Sequence, residues 1–149
     1  MAVVVRNAEM NDIAAIMKIA RTDVDHLGFE PRGAYEQSVT DKKLLVAILD
    51  EKYLIGFVKF GGTTKDKWTI YQIATARIAR GHGAGKALLR ELSAQAAQFG
   101  KGIRLKVTTE NTTAVNFYTR NGFVIKSTEK PSKRWLYLME KEVDDTLTN

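Results

Sequence analysis

Residues 68–108 constrain the fold of this chain more than any other stretch. An apolar run from Trp68 to Ala76 stops at the glycine-rich turn Arg80-Gly81-His82-Gly83-Ala84-Gly85-Lys86, a helical pattern runs from Lys86 to Phe99 and ends at Gly100, and a second strand-like run occupies Ile103 to Thr108. Ala87, Leu88, Leu92, Ala96 and Phe99 recur at helical spacing and form one apolar face. A strand, a crossover helix and a further strand bring the two strands into one sheet running parallel. The chain is therefore α/β.

The turn itself carries chemistry. Where a strand ends at glycines and the chain reopens as a helix, the first helical amides have no partner inside the helix, and the positive end of the helix dipole stands behind them. Gly81, Gly83 and Gly85 allow φ > 0 and a close approach of backbone to ligand, while Arg80 and Lys86 add charge at either end. Phosphate is the expected guest. Counting excludes two familiar phosphate loops. A dinucleotide fingerprint needs Gly-x-Gly-x-x-Gly, but the sixth position is Lys86 counting from Gly81 and Leu88 counting from Gly83. A Walker A loop needs four residues before its Gly-Lys pair and then Ser or Thr; three separate Gly81 from Gly85, and Ala87 follows Lys86.

The spacing that fits is Arg-x-x-Gly-x-Gly at Arg80, Gly83 and Gly85, ahead of Ala87-Leu88-Leu89. It resembles the acyl-CoA pyrophosphate loop of the GCN5-related N-acetyltransferase (GNAT) family. Downstream, Asn111-Thr-Thr-Ala114-Val-Asn-Phe117-Tyr118, followed by Gly122-Phe123, is similar to the second motif of the same family, Asn-x-x-Ala-x-x-Phe-Tyr and then Gly-Phe. Together the two motifs cover Trp68 to Phe123. The resemblance implies a single domain over residues 1–149, with one mixed, mostly antiparallel sheet of about six to seven strands flanked by helices. Its parallel pair would splay so that the pantetheine arm of acetyl-CoA enters between the strands. Ile73, Ala74 and Thr75 would offer backbone groups to pantetheine, and Arg80 with the amides of Gly81, His82, Gly83, Ala84, Gly85 and Lys86 would hold pyrophosphate. Asn111 and Tyr118 would lie near the pantetheine and thioester. Arg77 departs from the pattern, since many members carry a proline after this strand.

The rest of the chain reads as connected elements. Residues 2–6 form a first strand, and Asp12 stands as N-cap of a helix reaching about Arg21. Thr22 to Val39 reads as a loop and a short helix. Leu44–Leu49 and Tyr53–Phe60 form a hairpin across Asp50-Glu51-Lys52, with Gly61 to Lys67 as the next loop. Thr112–Arg120 is a short helix ending at Asn121-Gly122, and Phe123–Ser127 and Trp135–Glu140 are the last strands. The polar tail from Val143 reads as frayed.

With 23 Lys and Arg against 17 Asp and Glu, the net charge is +6, which attracts a polyanionic cofactor. No run of five like charges and no aromatic-interleaved basic stripe is present, so no dedicated nucleic-acid surface is expected. The absence of cysteine excludes disulfides, thiolate zinc sites and a cysteine nucleophile. No signal peptide or spanning segment is evident, so the expected setting is cytoplasmic, without membrane. A homodimer is left open.

The resemblance implies acetyl transfer from acetyl-CoA, as co-substrate and without metal, to an amine acceptor. Tyr118 would protonate the departing thiolate, as the equivalent tyrosine of the family is thought to do. A lysine-like amine is deprotonated in only about one molecule in a thousand at neutral pH, so a base or ordered water must help. Glu110, Asp25, His26 and Glu30 are candidates, as is a water relayed by Gln72 or a backbone carbonyl. A small-amine enzyme, a protein or peptide acetyltransferase and a non-catalytic acyl-CoA-binding module all remain open.

Overall fold

The computed structural model describes residues 2–22, 27–28, 30–62 and 64–143. Among them lie strands β1 (Val3–Asn7), β2 (Leu44–Leu49), β3 (Tyr53–Gly62), β4 (Lys67–Thr75), β5 (Gly102–Thr108), β6 (Val124–Glu129) and β7 (Leu136–Lys141). The helices are α1 (Ile13–Arg21), α2 (Arg32–Thr40), α3 (Ala84–Ala97) and α4 (Thr112–Arg120), with 3-10 turns at Met10–Asp12 and Arg77–Ala79.

Pairing along the sheet follows the order β1-β2-β3-β4-β5-β7-β6. The pairs β1/β2, β2/β3, β5/β7 and β6/β7 are antiparallel, whereas β4/β5 is parallel, its crossover made by α3. This is the mixed, mostly antiparallel α/β sheet expected. The parallel register runs from Lys67↔Gly102 to Ile70↔Leu105, while β4 itself continues to Thr75 and β5 to Thr108.

The chain divides into two compact units, Met1–Gly61 with Tyr71–Leu92 and Gly62–Ile70 with Ser93–Asn149. In the first, Ile13, Ile16, Ile19 and Ala20 line one face of α1 and pack with Tyr35, Leu44, Val46 and Phe57. The helical period puts these α1 residues on one side, and their burial supplies most of what holds so short a helix. In the second, Ile103, Leu105, Tyr118, Phe123 and Met139 are buried.

Several boundaries differ from the sequence reading. Asp12 precedes α1, yet its side chain makes no capping bond to that helix. Its Oδ2 instead accepts the Glu9 amide at 2.7 Å, and its two carboxylate oxygens take the Arg6 guanidinium at 2.8 and 3.1 Å. A charged donor on the neighbouring strand outcompetes the local cap. Gly61 and Gly62 belong to β3, not to a loop. Helix α3 begins at Ala84, ahead of Lys86, and ends at Ala97, where Gly100, at φ +69, closes it. Phe99 lies past the helix, is 69 % exposed, and rests its ring 5.7 Å from that of Trp68. Phe123 precedes β6 and is buried against Tyr118.

Candidate functional site

The expected phosphate turn follows β4 after the 3-10 turn Arg77–Ala79. Gly81 and Gly83 have φ of +91 and +77, a region costly for residues with a Cβ, and both are exposed. Within the turn, the Arg80 amide donates to Arg77 O, the His82 amide to Ala79 O and the Ala87 amide to Gly83 O. The amides of Gly81, Gly83, Ala84, Gly85 and Lys86 have no acceptor among the described residues. Five donors at the opening of a 14-residue helix, with exposed Arg80 and Lys86 beside them, make a positive donor surface suited to a phosphate oxygen. His82 is half-buried and enters the turn through its backbone.

Just before this turn, Ile73, Ala74 and Thr75 end β4 half-buried. Side chains on β3, on β4 and in the 3-10 turn bond to Thr22, Leu27 and Glu30, the described residues between α1 and α2 that they reach. Gln72 is buried, its Oε1 accepting the Tyr35 hydroxyl at 2.8 Å and its Nε2 donating to Leu27 O at 3.2 Å. Lys59 Nζ pairs with Glu30 Oε1 at 3.1 Å, and Arg77 Nη2 donates to Thr22 O at 3.1 Å. Arg77, standing where many GNAT members have proline, thus acts as a tether. Burial first, then the Glu30 charge, pushes the Tyr35 hydroxyl above its usual pKa, so it stays a protonated donor to Gln72. Asp25 and His26 lie outside the described residues.

The second unit holds the residues of the downstream motif. Asn111 caps α4, its Oδ1 accepting the Ala114 amide at 3.2 Å. Tyr118 is buried, with the rings of Phe117 and Phe123 at 5.5 and 5.6 Å. Its hydroxyl has no hydrogen-bond partner among the described residues, and burial pushes its pKa up. Glu110 lies exposed in the turn after β5, and its carbonyl accepts the Thr112 amide.

A family model described as "Acetyltransferase (GNAT) family" matches residues 12–123. The chain belongs to the GNAT acetyltransferase family. Solved GNAT-like structures share its fold. Ard1 from Thermoplasma volcanium is 21% identical, with a TM-score of 0.85, covering 97% of this chain and 99% of its own. The ribosomal-protein-S18-alanine N-acetyltransferase from Escherichia coli is 17% identical, with a TM-score of 0.76 and coverage of 96% and 95%. The protein yncA from Salmonella typhimurium, solved with its cofactor acetyl-CoA, is 17% identical, with a TM-score of 0.79 and coverage of 97% and 95%. No protein of curated function matches the chain. Among the described residues no helix is long and apolar enough to cross a membrane, and no group of three or more His, Asp or Glu could hold a metal ion.

The structure brings Arg80 to Lys86 together at one helix opening and sets Ile73 to Thr75 at the end of β4, one 3-10 turn ahead of it. Lys59 went unnoticed in the sequence, because its partner Glu30 is 29 positions away and no local pattern links a strand lysine to a loop carboxylate.

Proposed function

We propose that this GNAT protein is an N-acetyltransferase that moves the acetyl group of acetyl-CoA directly to a primary amine in a ternary complex, with a small amine or amino-acid-like compound as acceptor. The observation that carries this reading is the set of amides at Gly81, Gly83, Ala84, Gly85 and Lys86 that have no acceptor among the described residues, in the turn whose spacing matches the family's pyrophosphate loop. In this reading those amides and Arg80 hold pyrophosphate, backbone groups of Ile73, Ala74 and Thr75 align pantetheine, and a strand N–H polarises the thioester carbonyl.

The amine nitrogen attacks the carbonyl carbon, a C–N bond forms as the C–S bond breaks, and the amine proton leaves to water or a carboxylate such as Glu110. Tyr118 donates its phenolic proton toward the departing thiolate and regains one from solvent. The raised pKa keeps Tyr118 protonated at neutral pH, so the donor form is always present. The Asn111 Nδ2, without a partner among the described residues, suits a contact to the pantetheine in this reading. The chain's setting in this reading is the cytoplasm.

A peptide amine is the second reading, and its support is the shared fold of the Escherichia coli S18-alanine enzyme. Incubating the protein with acetyl-CoA and a panel of amines, amino acids and peptides, while measuring released CoA, separates the possibilities. Turnover of small amines, abolished by desulfo-CoA, supports the first reading, and turnover of peptides alone supports the second. CoA binding without turnover across the panel favours a binding module, and absence of CoA binding overturns all three.

A further inference from the structure

In the first unit, the chain gathers a carboxylate, an ammonium and an aromatic ring that acetyl-CoA binding leaves unused. Lys59 Nζ is 3.1 Å from Glu30 Oε1 and 5.4 Å from the centroid of the Tyr71 ring. The ring lies over Gly61, where a Cβ would come within 2.9 Å of Tyr71 Cε2, so only a glycine at 61 leaves the ring its place. Lys59 is 12% exposed and Glu30 29%, while Tyr71 stays 50% exposed on the strand that leads to Ile73. Enclosing an ion pair to this degree costs desolvation of both partners, and an apolar pair of similar volume would often stabilise the fold as well. The bonds Tyr35 to Gln72 and Gln72 to Leu27 O tie Leu27, three positions before Glu30, to β4, while Lys59 on β3 holds the carboxylate itself. A carboxylate with some exposure and a half-exposed ring, both within reach of the same ammonium, offer the two complements of a protonated amine: an anion for its ammonium and a flat apolar face for its carbon body.

We propose that Glu30 receives the acceptor's ammonium group, that Tyr71 carries the adjoining carbon skeleton, and that Lys59 is the positioning residue that holds Glu30 in place. This rests on the acetyltransferase reading and narrows its acceptor to a primary amine with an apolar or aromatic body.

The test is calorimetry on the full chain with 2-phenylethylamine as probe and 2-phenylethanol as its uncharged counterpart. The amine should bind saturably, and the alcohol at least about tenfold more weakly, because a charge-assisted bond is lost. Glu30→Gln and Tyr71→Ala should each weaken amine binding by about tenfold or more. Lys59→Met should weaken it and Lys59→Arg restore it, which a merely structural role for the lysine would not separate if circular dichroism shows both variants folded. CoA affinity should stay at the wild-type value throughout. Equal binding of amine and alcohol, or wild-type amine binding by Glu30→Gln, overturns the assignment of Glu30. Tighter amine binding by Lys59→Met overturns the positioning role, since it shows Lys59 competing for the carboxylate. No readout here requires turnover. Failure of the wild type to bind CoA counts against the acetyltransferase reading, whereas normal CoA binding without amine discrimination counts against this proposal alone.

Discussion

Gly83 and Tyr118 are the residues whose replacement separates ligand chemistry from folding most cleanly. A Cβ at Gly83 would meet nothing within 4 Å, so protein packing does not demand glycine there. The demand comes from φ +77 and from the amide row beside it. Gly83→Val should cost about 1–2 kcal/mol of strain and leave the chain folded, yet weaken CoA binding by more than about tenfold, because the side chain stands where backbone must approach phosphate. Unchanged CoA affinity by calorimetry would remove the turn from the cofactor site. Tyr118→Phe keeps the ring between Phe117 and Phe123 and removes only a hydroxyl that has no partner among the described residues. Stability in urea should therefore hardly move. If the hydroxyl serves the leaving thiolate, kcat on the best amine should fall by about 10²- to 10⁴-fold with chemistry rate-limiting, and a loss below about tenfold assigns Tyr118 to packing.

At the scale of elements, the start of α1 shows how a local signal is overridden. Asparagine, aspartate and serine before a helix normally cap it, and Asn111 does so for α4. Asp12 has the same opportunity, but Arg6 on β1 reaches it with two donors. Burial alone would raise the Asp12 pKa; the Arg6 guanidinium and the Glu9 amide outweigh it and hold the carboxyl below the usual range. A carboxyl depressed in the folded state stabilises above its unfolded pKa of about 3.9 and loses that contribution as pH falls through the lower folded value. Asp12→Asn should thus cost about 1–3 kcal/mol at neutral pH. The gap between the urea curves of wild type and variant should narrow toward about pH 3. A gap independent of pH would show that shape, not charge, joins β1 to α1.

For the whole molecule, ligand linkage gives the broadest check. A net charge of +6 favours a polyanion such as CoA, and binding to the native state alone raises its stability by about 2.7 kcal/mol at a hundred times the dissociation constant. For a chain of this size that corresponds to a rise in Tm of about 5–10 °C. The rise should shrink with added salt and be smaller for Gly83→Val at the same CoA concentration, and a scan without any shift would speak against cofactor binding by this chain.

The sequence by itself determined the parallel crossover from β4 to β5, the glycine turn that follows β4, the second motif and thereby the family, because each is written in neighbouring residues. Glycines at 81 and 83 set local backbone angles, and the periodicity of α3 sets which side is buried, whatever the distant chain does. Tertiary structure alone decided the pairing of Lys59 with Glu30, the bond from Tyr35 to Gln72 across 37 positions, and the capture of Asp12 by Arg6. Those contacts depend on strand order and register, which follow from burial summed over the whole sheet and not from any short stretch. The far ends of β3 at Gly62 and of β6 at Glu129 moved outward for the same reason: a ladder extends as far as its neighbour offers partners, as Thr128 and Glu129 find in Tyr137 and Leu136.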